Sequence, residues 1–129
     1  MLLALLMIAS PVQDAGTVTA DTGPVAQEIV VIGRKLKTWR ATIRTGRDGL
    51  TCRTKASSGD PEIDALGCSA MMRCWPAARA LFDASTAKGL AKADRQRLQA
   101  QANQTMTACV AAQHRERIEA LAIRRAGAA

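Results

Sequence analysis

The spacing of apolar residues changes several times along this 129-residue chain, and each change marks an element. Ile29-Val30-Val31-Ile32 is a β-branched run closed by Gly33, the signature of a strand. From Lys37 the pattern alternates, with Trp39, Ala41 and Ile43 on one face and Arg40, Thr42 and Arg44 on the other. Gly46-Arg47-Asp48-Gly49 is a turn, and beyond it Leu50, Cys52 and Thr54 alternate with Thr51, Arg53 and Lys55. A four-residue hairpin loop at 46–49 sets Ile43 opposite Cys52 and Arg40 opposite Lys55. Helical periodicity then takes over. Asp60 is an N-cap, Pro61 suits the first turn, and Ile63, Leu66, Ala70 and Met71 form an apolar stripe. Pro76 is expected to kink or restart this helix near Trp75, and Gly89 to stop it after about Lys88. A long helix from about Ala91 to Arg125 follows, marked by Leu98, Ala102, Met106, Val110, Ile118 and Leu121. The pattern predicts an α+β fold: a short antiparallel sheet over about 28–55, packed on a helical hairpin over about 61–125.

The N-terminal segment differs from the rest. Met1–Ala9 is apolar and reads as the hydrophobic region of an export signal, though no positive residue precedes it. It is far shorter than the ~20 residues that span a bilayer, so no transmembrane anchor is expected. Pro11–Gln27 is rich in Thr, Ala, Gly, Asp and Pro and has no apolar period. The expected organisation is a signal peptide over 1–20, a linker over 21–27, a single domain over 28–125 and a frayed tail over 126–129.

Composition shows why such a domain needs covalent help. Its only aromatics are Trp39, Trp75 and Phe82, and alanine outnumbers the bulky aliphatics, so the core is thin. Cys52, Cys68, Cys74 and Cys109 are even in number and lack metal-ligand companions. In a chain with an export signal they imply two disulfides and an oxidising compartment, periplasmic or extracellular. Folding the helical hairpin at Gly89–Lys92 puts Cys74 and Cys109 at matching heights; Cys68 with Cys109 is the competing choice. Those choices differ by six residues, or ~9 Å along a helix, against a Cα reach of about 7 Å for a disulfide. Cys74–Cys109 is therefore favoured, which leaves Cys52–Cys68 to join the hairpin to the first helix.

Charge adds a candidate site. All 18 basic residues lie beyond residue 27, where only 9 acids oppose them. A field of that sign attracts anionic envelope components or an acidic protein. The face carrying Arg40, Arg44, Arg53 and Lys55 places like charges close together, which an anion would relieve; Asp48 or Asp60 could also do so from within the chain. The face has no stacking aromatics, and an exported protein rarely meets nucleic acid, so nucleic acid is not the expected partner. Arg115, Arg117, Arg124 and Arg125 complement the C-terminal end of the long helix dipole.

Catalytic constellations are missing. The one histidine, His114, sits in the polar run Gln113–Arg117 and is expected to be a solvated side chain. No nucleophile elbow, phosphate-cradling glycine loop or paired-carboxylate site occurs. The cysteines have neither Cys-x-x-Cys redox spacing nor Cys-x2-4-Cys zinc spacing. No enzyme activity, metal or cofactor is expected; a thiol-disulfide redox protein is the enzymatic alternative.

Two resemblances complete the picture. Gln27-Glu28-Ile29-Val30-Val31-Ile32-Gly33-Arg34 resembles the TonB box of outer-membrane receptors, E-I-V-V-T-G-R, with Ile32 in place of threonine. The resemblance implies strand addition to TonB through an exposed strand at 28–34, with Glu28, Ile29, Val30 and Val31 in contact. The whole pattern also resembles small exported four-cysteine proteins of Gram-negative bacteria: signal, I-V-V-x-G strand, tryptophan-bearing hairpin, T-C-R-T segment and G-C-x-A-M-x-x-C helix. It implies a one-domain architecture in the periplasm or outside the cell, and no particular activity. The expected role is a non-enzymatic exported binding or accessory protein with a basic surface.

Overall fold

Pro24 opens the first helix, α1 (Pro24–Thr38), where a missing N–H forfeits no hydrogen bond. Val25, Ile32 and Leu36 share one face of α1, and this face packs on Ile118, Leu121 and Ala122 near the far end of the chain. The computed structural model to which this helix belongs describes residues 23–128. The expected export signal and most of the segment before Pro24 lie outside the described residues.

Residues 29–32 are thus helical, which corrects the expected first strand and moves the start of the sheet from about 28 to Arg40. Residues 24–27, expected as linker, form the first helical turn. The physical reason is tertiary: one stripe of α1 buries Ile32 completely, while Val30 and Val31 stay outside. The segment resembling a TonB box is therefore wound into α1, and strand addition would first require that helix to unwind.

The chain passes from α1 to the hairpin through one extended residue, Trp39. Strands β1 (Arg40–Gly46) and β2 (Gly49–Ala56) pair antiparallel, with Ile43 opposite Cys52 as the alternation predicts. Gly46 pairs with Gly49, so the connection is the two-residue turn Arg47–Asp48, and Gly49 takes a left-handed φ of 109°. One correction concerns the open end. A bulge between Arg40 and Ala41 sets Arg40 opposite Ala56 rather than Lys55.

Helix α2 (Pro61–Ser85) begins as expected, with Asp60 Oδ1 accepting from the backbone N–H groups of Glu62 and Ile63. It differs from expectation at Pro76, which sits inside one continuous helix, and it ends before Lys88. Met72, four residues earlier, is exposed, so the carbonyl that loses its partner lies on the solvent side. Gly89, at φ 77°, turns the chain into α3 (Lys92–Gly127). That helix runs into the expected frayed tail, two residues past Arg125. Among the described residues, no helix is long and apolar enough to cross a membrane.

The architecture is α+β, three helices and a two-stranded antiparallel sheet, held by two disulfides. Cys52–Cys68 joins β2 to α2 and Cys74–Cys109 joins α2 to α3, with Cα separations of 5.6 and 5.7 Å. Covalent linkage compensates for a small core: Ile32, Ile63 and Cys74 are its largest fully buried side chains, and alanines fill much of the rest.

An ionic cluster closes the end of the molecule where α2 starts and α3 stops. Arg125 donates to Asp60 at 2.8 Å and Arg124 to Glu62 at 2.6 Å, while the hydroxyls of Ser57 and Ser58 donate to Asp64. Burial alone would raise the Asp60 pKa; hydrogen bonding and charge from Arg125, with the helix N–H groups, outweigh it and hold the carboxyl low. The Arg124 hydrogen bond lowers Glu62, and the serine hydroxyls lower Asp64. Because the folded pKa values lie below the unfolded ones, this contribution is complete above the unfolded values and disappears as pH falls through the folded ones. Stability is expected to fall in acid from about pH 4 downward, and Arg125→Gln to flatten that loss. Urea unfolding at pH 3 and pH 6 measures both; equal acid loss in the two proteins would contradict the assignment.

Candidate anion-binding face of the hairpin

Side chains alternate across a hairpin, so the register decides which cations meet. Thr42 pairs with Arg53 and Arg44 with Thr51, so each arginine is opposed directly by a hydroxyl and the two arginines are diagonal neighbours. Lys55, the extra residue at the bulge, joins them: Thr42, Arg44, Thr51, Arg53, Thr54 and Lys55 line one depression of about 490 Å³. All three cations are exposed.

Arg40 departs from this group. Its Nη1 donates to the carbonyls of Lys37 at 2.7 Å and Trp39 at 2.8 Å, capping the end of α1. The bulge that shifts its pairing places it beside those carbonyls, where a cation complements the helix dipole. Three of the four expected anion-binding residues therefore share a face, and Arg40 serves the backbone.

Neither acid expected to neutralise this face pairs with it. Asp60 is taken by Arg125, and Asp48 forms none of the ion pairs among the described residues. No ion pair among those residues includes Arg44, Arg53 or Lys55 either. Two arginines and a lysine flanked by threonine hydroxyls can take a phosphate, sulfate or carboxylate group by charge-assisted hydrogen bonds.

The opposite face of the hairpin, which carries Ile43 and Leu50, lies against the core only in part. Leu50 is buried, but Ile43 remains 36% exposed. The gap before it is a groove between the hairpin, α2 and α3 that no motif in the sequence announced. Its residues come from four elements, so no local pattern brings them together.

His114 also departs from expectation. It is half-buried, not solvated; its Nε2 is enclosed without a hydrogen-bond partner among the described residues, and burial lowers its pKa. The helix turns this residue inward beside Met71, Met106 and Val110 despite its polar sequence neighbours.

Comparisons with protein-family models, with curated proteins and with solved structures find no match to this chain.

Proposed function

We propose that this chain is a non-enzymatic exported binding protein, periplasmic or secreted, whose outer hairpin face takes an anionic component of the cell envelope. The apolar N-terminal segment and the two disulfides support export to an oxidising compartment. One observation carries the binding role: Arg44, Arg53 and Lys55 converge on one face with no carboxylate paired to them among the described residues. A polyanion laid along the hairpin exchanges its counterions for these three cations, so binding weakens as salt rises. Specificity then comes from the spacing of the charges along a rigid, stapled strand pair rather than from total charge.

The test is retention on an acidic polysaccharide (heparin) and on vesicles containing phosphatidylglycerol. Arg44→Gln with Arg53→Gln and Lys55→Gln is expected to lose at least tenfold in affinity for one of these at low salt, each contact contributing on the order of 1 kcal/mol. Lys88→Gln with Lys92→Gln and Arg95→Gln removes as much charge from another exposed region and is expected to bind nearly as the parent does. Equal losses in the two triple variants would show that only net charge matters. Retention of an acidic protein alone would replace the envelope component with a protein partner.

A further inference from the structure

The groove on the inner side of the hairpin measures about 730 Å³, within the ~300–1,000 Å³ typical of small-molecule sites. Ile43 and Leu50 form its hairpin wall, and Met71, Trp75 and Phe82 of α2 and Met106 of α3 the other sides. Trp75 and Phe82 stack, with ring centroids 5.3 Å apart, and give one side a flat apolar surface. The two methionines are unbranched and polarisable, so this lining adapts to the shape of a flexible chain.

The rim has the opposite character. Arg47, in the hairpin turn, takes part in no ion pair among the described residues. Arg79 donates to the Arg47 carbonyl at 3.3 Å and approaches Asp83, the sole acid among the described residues lining the groove, at 3.7 Å. The mouth is therefore net positive. The Trp75 indole N–H is buried and finds no acceptor among the described residues.

We propose that this groove binds a single-chain anionic amphiphile, its acyl chain along Met71, Trp75, Phe82 and Met106 and its acidic head at Arg47. The apolar walls select the chain and the unpaired guanidinium selects the sign of the head. This site is separate from the outer basic face and does not depend on it: the two lie on opposite sides of the same strands.

Calorimetric titration of the full chain with dodecanoate, kept below its aggregation concentration, tests the proposal. The expected result is saturable one-to-one binding, with dodecyltrimethylammonium binding at least tenfold more weakly. Arg47→Gln is expected to weaken dodecanoate about three- to fivefold, the range of an exposed charge contact. Asn103→Trp and Thr45→Trp, two exposed rim positions on different elements, fill the mouth from opposite sides, so one remains informative if the other perturbs folding. Both are expected to abolish binding. Absence of saturable dodecanoate binding, equal affinity for the cationic amphiphile, or unchanged binding in a folded mouth-filling variant would overturn the proposal. The outer-face triple glutamine variant is expected to bind dodecanoate as the parent does, so failure of the polyanion experiment leaves this result standing, and the reverse.

Discussion

Replacing Cys74 and Cys109 together by alanine is expected to lower the unfolding free energy by about 4 kcal/mol, and replacing Cys52 and Cys68 by about 3 kcal/mol. These figures follow from the loops that the bonds close, with sequence separations of 35 and 16, in the chain-entropy relation. In a domain with so few large buried side chains, a loss of this size removes a large share of a total that is ordinarily about 5–15 kcal/mol. The two losses also differ in kind. Cys74 is fully buried between α2 and α3, so its removal opens space in the helical hairpin, whereas both cysteines of the other pair are half-buried. Urea unfolding without reductant provides the measurement. A change below 1 kcal/mol for the Cys74/Cys109 variant would show that helix packing alone suffices.

The second large effect is centred on Gly67. A Cβ at this position would fall 2.7 Å from the Trp39 ring, closer than such atoms approach in real structures. Trp39 lies flat on α2 because Gly67 leaves room for it, and its indole N–H donates to Thr54 Oγ1 at 2.9 Å on the neighbouring strand. The pair therefore locks the α1–β1 junction onto both β2 and α2. Gly67→Ala is expected to cost about 1–3 kcal/mol by overpacking, and Gly67→Val more, despite the gain in helix propensity that either change brings to an isolated helix. Trp39 should move outward in both, so its emission red-shifts together with the fall in stability. A Gly67→Ala protein as stable as the parent, with unchanged emission, would mean that the ring has another resting place.

Much of this arrangement was legible in the residues. The 46–49 turn fixed the register of the hairpin, and matching heights about the 89–92 turn favoured the Cys74–Cys109 bond that the structure contains. Asp60 and Pro61 marked the start of α2 because a cap is a local device that depends on little else. What misled was locally ambiguous. Four β-branched residues in a row, 29–32, carry no period of their own; only the wider spacing of Val25, Ile32 and Leu36 shows the helical face. Pro76 was expected to interrupt a helix, yet packing along both sides of it keeps α2 continuous.

The candidate site was half legible for a similar reason. Alternation placed Arg44 and Arg53 together, since they sit on regular strand. It could not foresee the bulge that sends Arg40 to the carbonyls of Lys37 and Trp39, because a bulge depends on how α1 enters the sheet. The inner groove lay beyond sequence reasoning altogether, since its walls meet only through tertiary packing.

The connectivity has a consequence for how the protein is made. Numbered along the chain, the first cysteine bonds to the second and the third to the fourth. Of the three ways to join four cysteines, this alone pairs each cysteine with the next one in the chain, so that no other free thiol competes for either bond when a chain emerges N-terminus first. An oxidant acting in order of appearance would produce the native pairing without disulfide shuffling. Under such an oxidant the last bond waits for Cys109, by which time the hairpin is already tied to the first half of α2.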